Sequence, residues 1–166
     1  MLDDGATTRS SRRFCPAGTV SCWESCLIIR ALENLAQSGG LQREDTTQEE
    51  IDGLLTSGAH RLEDAENTSL SLESRFDLAY NAAHAVALAG LRWRGYRSNN
   101  RYTVFQVLPH TVGMSAEKWR VLDLAHKKRN QSEYDGIFEV DLALVEAVLR
   151  VTREIEAAVR ALGAVK

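Results

Sequence analysis

The residues best suited to chemistry lie between Lys127 and Gly136. A basic run, Lys127-Lys128-Arg129, is followed by Asn130, a ring at Tyr134 and an acidic turn, Asp135-Gly136. A guanidinium is a planar, permanently charged fork that matches phosphate. In RNA cleavage it would stabilise the charge that develops on the phosphorane. Asn130 donates and accepts, so it suits positioning a ribose hydroxyl or orienting the ring at Tyr134. Tyr134 is the difficult position. A phenol, with a pKa of about 10, shuttles protons poorly at neutrality, where histidine does so readily. It can still hydrogen-bond a phosphate or stack on a base. As it stands, the segment supports binding better than catalysis.

Each residue also has a plain structural reading. The helical pattern ends near Asn130, so Arg129 in a last turn can simply face the C-terminal dipole and solvent. Asn130 tolerates the left-handed conformation of a C-cap. Tyr134 can pack its ring over the Asp135-Gly136 turn with its hydroxyl at the surface. Of the histidines, His84 falls inside an alanine-rich helix and reads as a buried, hydrogen-bonded core residue. His60 and His126 read as helix-end residues, and His110 follows Pro109 in a short element. His126 precedes Arg129 by three positions and so shares its helix face, where it would be a substitute base. No two histidines have the spacing of a metal pair.

A second basic feature interleaves Arg92, Arg94, Arg97 and Arg101 with Trp93, Tyr96 and Tyr102. Cations beside aromatics suit single-stranded nucleic acid, so Arg97 and Arg101 join Lys127, Lys128 and Arg129 as candidate nucleic-acid contacts. The alternative is a solvated helix end with its rings turned inward. Residues 43–66 carry a dense acidic flank that includes Glu44, Asp45, Glu49, Glu50, Asp52, Glu63, Asp64 and Glu66. Acid on one side and base on the other imply a polarised surface, suited to dimerisation or to a charged partner. The three cysteines, Cys15, Cys22 and Cys26, all fall early in the chain. Cys22 and Cys26 can share a helix face, but no fourth ligand lies near, so they read as reduced thiols rather than a zinc or disulfide framework. No metal and no cofactor is implied.

The elements that must position these residues are helical. Residues 1–22, rich in Ser, Thr, Gly and Arg without a hydrophobic period, read as a disordered leader. Ser11-Arg12-Arg13-Phe14 echoes a twin-arginine export signal, but no apolar stretch follows, so the expected location is cytoplasmic. Residues 23–45 read as an N-terminal helix over 23–36 with a linker opening at Ser38-Gly39-Gly40, and residues 46–164 as the main bundle. Thr46 or Thr47 caps a helix over 47–60 that Gly53 and Gly58 weaken; residues 61–67 either continue it or break it. The strongest helical pattern spans 70–95, with Leu72, Phe76, Ala79, Tyr80, Ala83, Ala87 and Leu91 on one face. Its many alanines let a neighbour approach closely. A short element over 103–112 is interrupted at Pro109. A helix capped by Ser115 covers 116–130, and the last runs over 138–162. Nothing reads as strand. The expectation is an all-α, antiparallel bundle of four to five helices. A net charge of −3 argues against a histone-like nucleic-acid binder, and no apolar run is long enough to span a bilayer.

Taken together, Arg75-Phe76, Tyr80-Asn81-Ala82-Ala83, Gly95-Tyr96-Arg97, Val104-Phe105 and Arg129-Asn130 through Asp135-Gly136 resemble the HEPN superfamily of small helical nucleotide-binding domains. The similarity covers residues 49–162. That family's RNase motif is Arg, a polar residue, three variable positions, then His. Arg129 and Asn130 match it, and Tyr134 stands where the His belongs. The resemblance implies a helical bundle that forms a homodimer with two motif copies facing one cleft. It also implies a role in toxin-antitoxin, phage-defence or RNA-processing systems, often beside a nucleotidyltransferase. Three readings follow: an RNA- or nucleotide-binding protein with a degenerate RNase motif; a metal-independent endoribonuclease toxin using Arg129 and Asn130, with Tyr134 or His126 in place of histidine; and an interaction subunit for a nucleotidyltransferase or antitoxin partner.

Overall fold

The computed structural model describes residues 22–135 and 139–165, with the side chains of 22–28 and 135 left aside. Most of the leader, Cys15, the side chains of Cys22 and Cys26, Gly136 and Phe138 therefore lie outside the described residues. The described chain is an all-α bundle with a minimal sheet. In order it contains α1 (Cys22–Gln37), β1 (Gln42–Arg43), α2 (Gln48–Glu66), α3 (Leu72–Trp93), β2 (Tyr96–Arg97), α4 (Arg101–Gln106), α5 (Leu108–Thr111), α6 (Ala116–Asp135) and α7 (Leu142–Arg160). Five long helices carry the architecture; α4 and α5 are single turns or little more.

Local chemistry explains most boundaries. The Thr47 side chain accepts from the Glu50 amide and caps α2, with Glu49 and Glu50 in the first turn, where carboxylates favour the helix dipole. Ser71 caps α3 through the Ser74 amide, and Asp141 caps α7 through the Leu144 amide. Asn100 accepts from the Tyr102 and Thr103 amides to start α4, and Pro109 sits in the first turn of α5, where a missing N–H costs nothing. The Asp141 cap sets the start of α7 at Leu142, four residues later than the hydrophobic pattern predicts.

α3 forms the axis of the core. Phe76, Ala79, Tyr80, Ala83, Ala87 and Leu91 are buried, as their spacing predicts. α2 runs antiparallel beside it, since Glu50 meets Arg92, Gly58 meets Val86, and the Ala65 carbonyl accepts from Arg75 Nε at 2.9 Å. A Cβ on Gly58 would stand 2.5 Å from Val86 Cγ2, so this glycine is what lets the two helices close. Expected to be a weakness in α2, it is a packing requirement. α7 covers another side of α3 with Val145, Val148, Leu149, Thr152, Ile155 and Val159, all buried.

Three expectations are corrected. β1 and β2 pair antiparallel, Gln42 opposite Arg97 and Arg43 opposite Tyr96, and so close the segment after α1 onto the end of α3. α2 continues past His60 to Glu66, which makes His60 an exposed mid-helix residue. α6 continues past Asn130 to Asp135, so neither His126 nor Arg129 is at a helix end and Asn130 is no C-cap. Among the described residues, no helix is long and apolar enough to cross a membrane.

Candidate functional site

The segment from His126 to Glu133 looks too polar to remain helical, yet side-chain pairs four residues apart hold it. Lys127 Nζ meets Asp123 Oδ2 at 2.7 Å, Asn130 Nδ2 meets His126 Nε2 at 3.0 Å, and Arg129 Nη2 meets Glu133 Oε1 at 2.7 Å. Such pairs each add a few tenths of a kcal/mol to a helix, about 0.2–0.5. Their second effect is geometric, because they aim Arg129, His126 and Asn130 at α3.

There they meet Tyr80, a wholly buried ring at the middle of α3. The Tyr80 hydroxyl lies 2.8 Å from His126 Nδ1, and the Arg129 guanidinium carbon lies over the same ring, 5.1 Å from its centre. α4 closes the third side. Tyr102 packs against His126 with ring centres 5.1 Å apart and donates its hydroxyl to Asp123 Oδ1 at 3.0 Å. Arg101 Nη1 donates to Asn81 Oδ1 at 2.9 Å. Trp119 continues the aromatic series against Tyr102, with ring centres 6.2 Å apart. Three helices thus bring Arg101, Arg129, His126, Asn130, Tyr80 and Tyr102 to one place.

The electrostatics follow from burial among cations. Burial holds the His126 pKa below its usual value; Asp123 pulls against it, and Arg129 and Arg101 add to the lowering. His84, one turn beyond Tyr80, is lowered to about 4, chiefly by burial, with Arg101, Arg61 and Arg129 adding to it. It is half-buried and edge-on to Phe105, and among the described residues it makes no hydrogen bond, so the expected hydrogen-bonded core histidine is only partly right. Burial raises the Tyr80 phenol. At neutral pH the centre therefore holds two neutral imidazoles, two neutral phenols and two guanidinium groups.

Arg129 is incompletely satisfied. Its Nη2 is paired with Glu133, but its Nε is buried without a hydrogen-bond partner, 3.7 Å from Asp77 Oδ1. A buried donor without an acceptor is costly. An anion oxygen, or a small movement of Asp77, would complete it.

The other expected site residues are placed less uniformly. Tyr134 does not join the cluster: five residues beyond Arg129 it is turned about 140° around α6, and its ring is 85% exposed rather than packed on a turn. Lys128 pairs with Glu139 at 3.3 Å. Arg97 belongs to a different centre, since it pairs with Glu44 at 3.4 Å and Glu50 at 3.1 Å beside Arg92. Arg92 lies twelve residues past Tyr80, about 18 Å along α3. The acidic flank and the basic loop thus partly neutralise each other within the fold. Among the described residues, no group of three His, Cys, Asp or Glu could hold a metal ion.

Sequence reasoning missed Tyr80, Asn81 and Asp123 as members of this centre and placed Tyr102 only in the separate basic–aromatic feature. The signal for Tyr80-Asn81 was indirect, as one of the anchors of the family resemblance. No protein-family model, no curated protein and no solved structure matches the chain.

Proposed function

We propose that this chain is a HEPN-like RNA- or nucleotide-binding protein with a degenerate RNase motif, acting as a homodimer in a toxin-antitoxin or phage-defence type of system. The observation that carries this reading is the convergence of Arg129, Asn130 and His126 on Tyr80 while Tyr134 faces solvent. Donors for phosphate gather at one point, and the position that should supply the proton shuttle does not. Arg101 within the cluster and Lys127 at its border would contact neighbouring phosphates. Arg97, already compensated by two carboxylates, drops out of the binding set.

The test is binding of a labelled single-stranded RNA across a salt series, with wild type beside Arg129→Ala. The variant should bind about tenfold more weakly, and its log–log salt slope should fall by about 0.7 if one phosphate contact is lost. Equal binding by both proteins would sink the assignment of Arg129. Analytical ultracentrifugation checks the dimer, which should dissociate on dilution as a single reversible step.

One observation favours the endoribonuclease as a second reading: His126 shares the Tyr80 ring with Arg129, so a histidine is present beside the guanidinium after all. Inducing wild type and Arg129→Ala in a bacterial host separates the two readings. Intact total RNA and normal growth in both fit binding alone. Arrest with RNA breakage in wild type only would establish the enzyme. The third reading, a subunit for a nucleotidyltransferase or antitoxin, retains the exposed acids Glu49, Asp52, Glu63 and Glu66 as its docking face. It predicts that Arg129→Ala leaves partner capture unchanged.

A further inference from the structure

The state of His126 decides what this centre can do, and the neighbouring groups determine it. Tyr80 from α3, Arg101 and Tyr102 from α4, and Asp123, Arg129 and Asn130 from α6 surround the ring. Both ring nitrogens have a partner, the Tyr80 hydroxyl on Nδ1 at 2.8 Å and the Asn130 carboxamide on Nε2 at 3.0 Å. A neutral imidazole has one N–H and one lone pair, so one neighbour must donate and the other accept.

Two arrangements satisfy that condition. In the first, Asn130 donates to Nε2 and Nδ1–H donates to the Tyr80 oxygen. The Tyr80 hydroxyl hydrogen is then buried with no acceptor among the described residues. In the second, Tyr80 donates to Nδ1 and Nε2 carries the ring hydrogen. Asn130 then turns its carbonyl oxygen to Nε2. A half-turn of a carboxamide exchanges nitrogen and oxygen with almost no change of shape. Only the second arrangement leaves no polar group of the three unsatisfied.

We infer that Tyr80 donates its hydroxyl hydrogen to Nδ1 of His126, which places the ring's own hydrogen on Nε2 and makes His126 a neutral donor to a phosphate oxygen rather than a base. Tyr80 and Asn130 are positioning residues: one sets the tautomer and the other holds Nε2–H until a ligand oxygen replaces its carbonyl. Freed from the ring, the Asn130 amide can turn back and donate to the same anion. The inference rests on the binding reading above only for the ligand's identity. It counts against His126 as a substitute general base, because the lone pair faces Tyr80 in the core and the nitrogen on the Asn130 side carries a hydrogen.

The experiment is a two-bond proton–nitrogen correlation spectrum of the imidazoles in uniformly labelled protein near pH 7.5. His126 is identified by its loss in His126→Gln. Wild type should show a protonated Nε2 and an unprotonated, hydrogen-bonded Nδ1, and Tyr80→Phe should move both signals toward a tautomer mixture. A protonated Nδ1 in wild type overturns the inference whether or not Tyr80→Phe folds. So does a wild-type pattern that Tyr80→Phe, if folded, leaves unchanged. Binding of the same single-stranded RNA is read in parallel. His126→Gln, whose amide restores a donor, should stay within about threefold of wild type, while His126→Ala should lose about tenfold. Equal losses in both variants would remove the donor role. If wild type binds no RNA, the functional proposal fails, and the spectrum still decides the tautomer.

Discussion

Two arginine centres, one at the end of α3 and one at its middle, make an instructive pair. Arg92 is 1% exposed, and almost every donor it carries has an acceptor. Nε and Nη2 grip Glu50 at 2.8 and 2.9 Å, while Nη1 and Nη2 reach the Glu44 and Asp45 carbonyls at 3.2 and 2.6 Å. Arg129 is 20% exposed on its side chain, rests on an aromatic face, and has a buried Nε that nothing accepts. A closed shell around a charge fixes a fold, because the charge has no further use for a partner. An open one is a candidate for recognition. Neither residue's local sequence distinguishes them; the number of acceptors around each does.

Removing Arg92 should have the largest effect. Arg92→Ala leaves Glu50 and two carbonyls facing an empty site and should cost about 3–5 kcal/mol in chemical denaturation. A loss under about 1 kcal/mol would mean that the two centres do not differ as described. Acid tests the same centre more gently. The Arg92 guanidinium, with Thr46 and Arg97 assisting, holds the Glu50 carboxyl at about 2, below its ordinary 4.5. A lowered folded-state pKa stabilises the fold above the unfolded value and loses that contribution as pH falls through the folded one. Stability should therefore drop between about pH 4.5 and 2, by on the order of 2 kcal/mol given the partial exposure of Glu50. In Glu50→Gln the drop over that window should shrink.

At the open centre the balance reverses. Arg129→Ala should change stability by less than about 1 kcal/mol, since its pairs with Glu133 and Asp77 are partly solvated, while affecting RNA binding as described above. A large loss of stability without a loss of binding would make Arg129 a second structural staple. The smallest effect belongs to Tyr134→Ala, which should stay within about 0.5 kcal/mol of wild type because Tyr134 is 85% exposed. It should also leave RNA binding unchanged unless the ring stacks on a base from outside the cluster.

The bundle was readable because α3 and α7 carry long, regular apolar stripes. What misled was polarity. The run from Lys127 to Glu133 resembles a helix terminus, since nothing in its composition announces that Asp123, His126 and Arg129 each have a partner four residues on. Arg92 and Arg97 look like an exposed basic patch beside aromatics for a similar reason. Their partners, Glu44 and Glu50, lie on the preceding helix and strand connection, more than forty residues away in sequence, beyond any periodicity. Arg129 and Asn130 were legible as site residues from residue type alone, but Tyr80 was hidden by its role in the α3 core stripe. Its hydroxyl becomes visible only once α6 is packed against it.

The glycine at position 58 has a bearing on motion. With Val86 where a methyl group would otherwise stand, α2 and α3 are in hard contact and have almost no freedom to slide or separate by small steps. A displacement at Tyr80 is therefore shared by both helices, which move as one lever. Any rearrangement would be carried by α6 and the short α4–α5 turns moving across it.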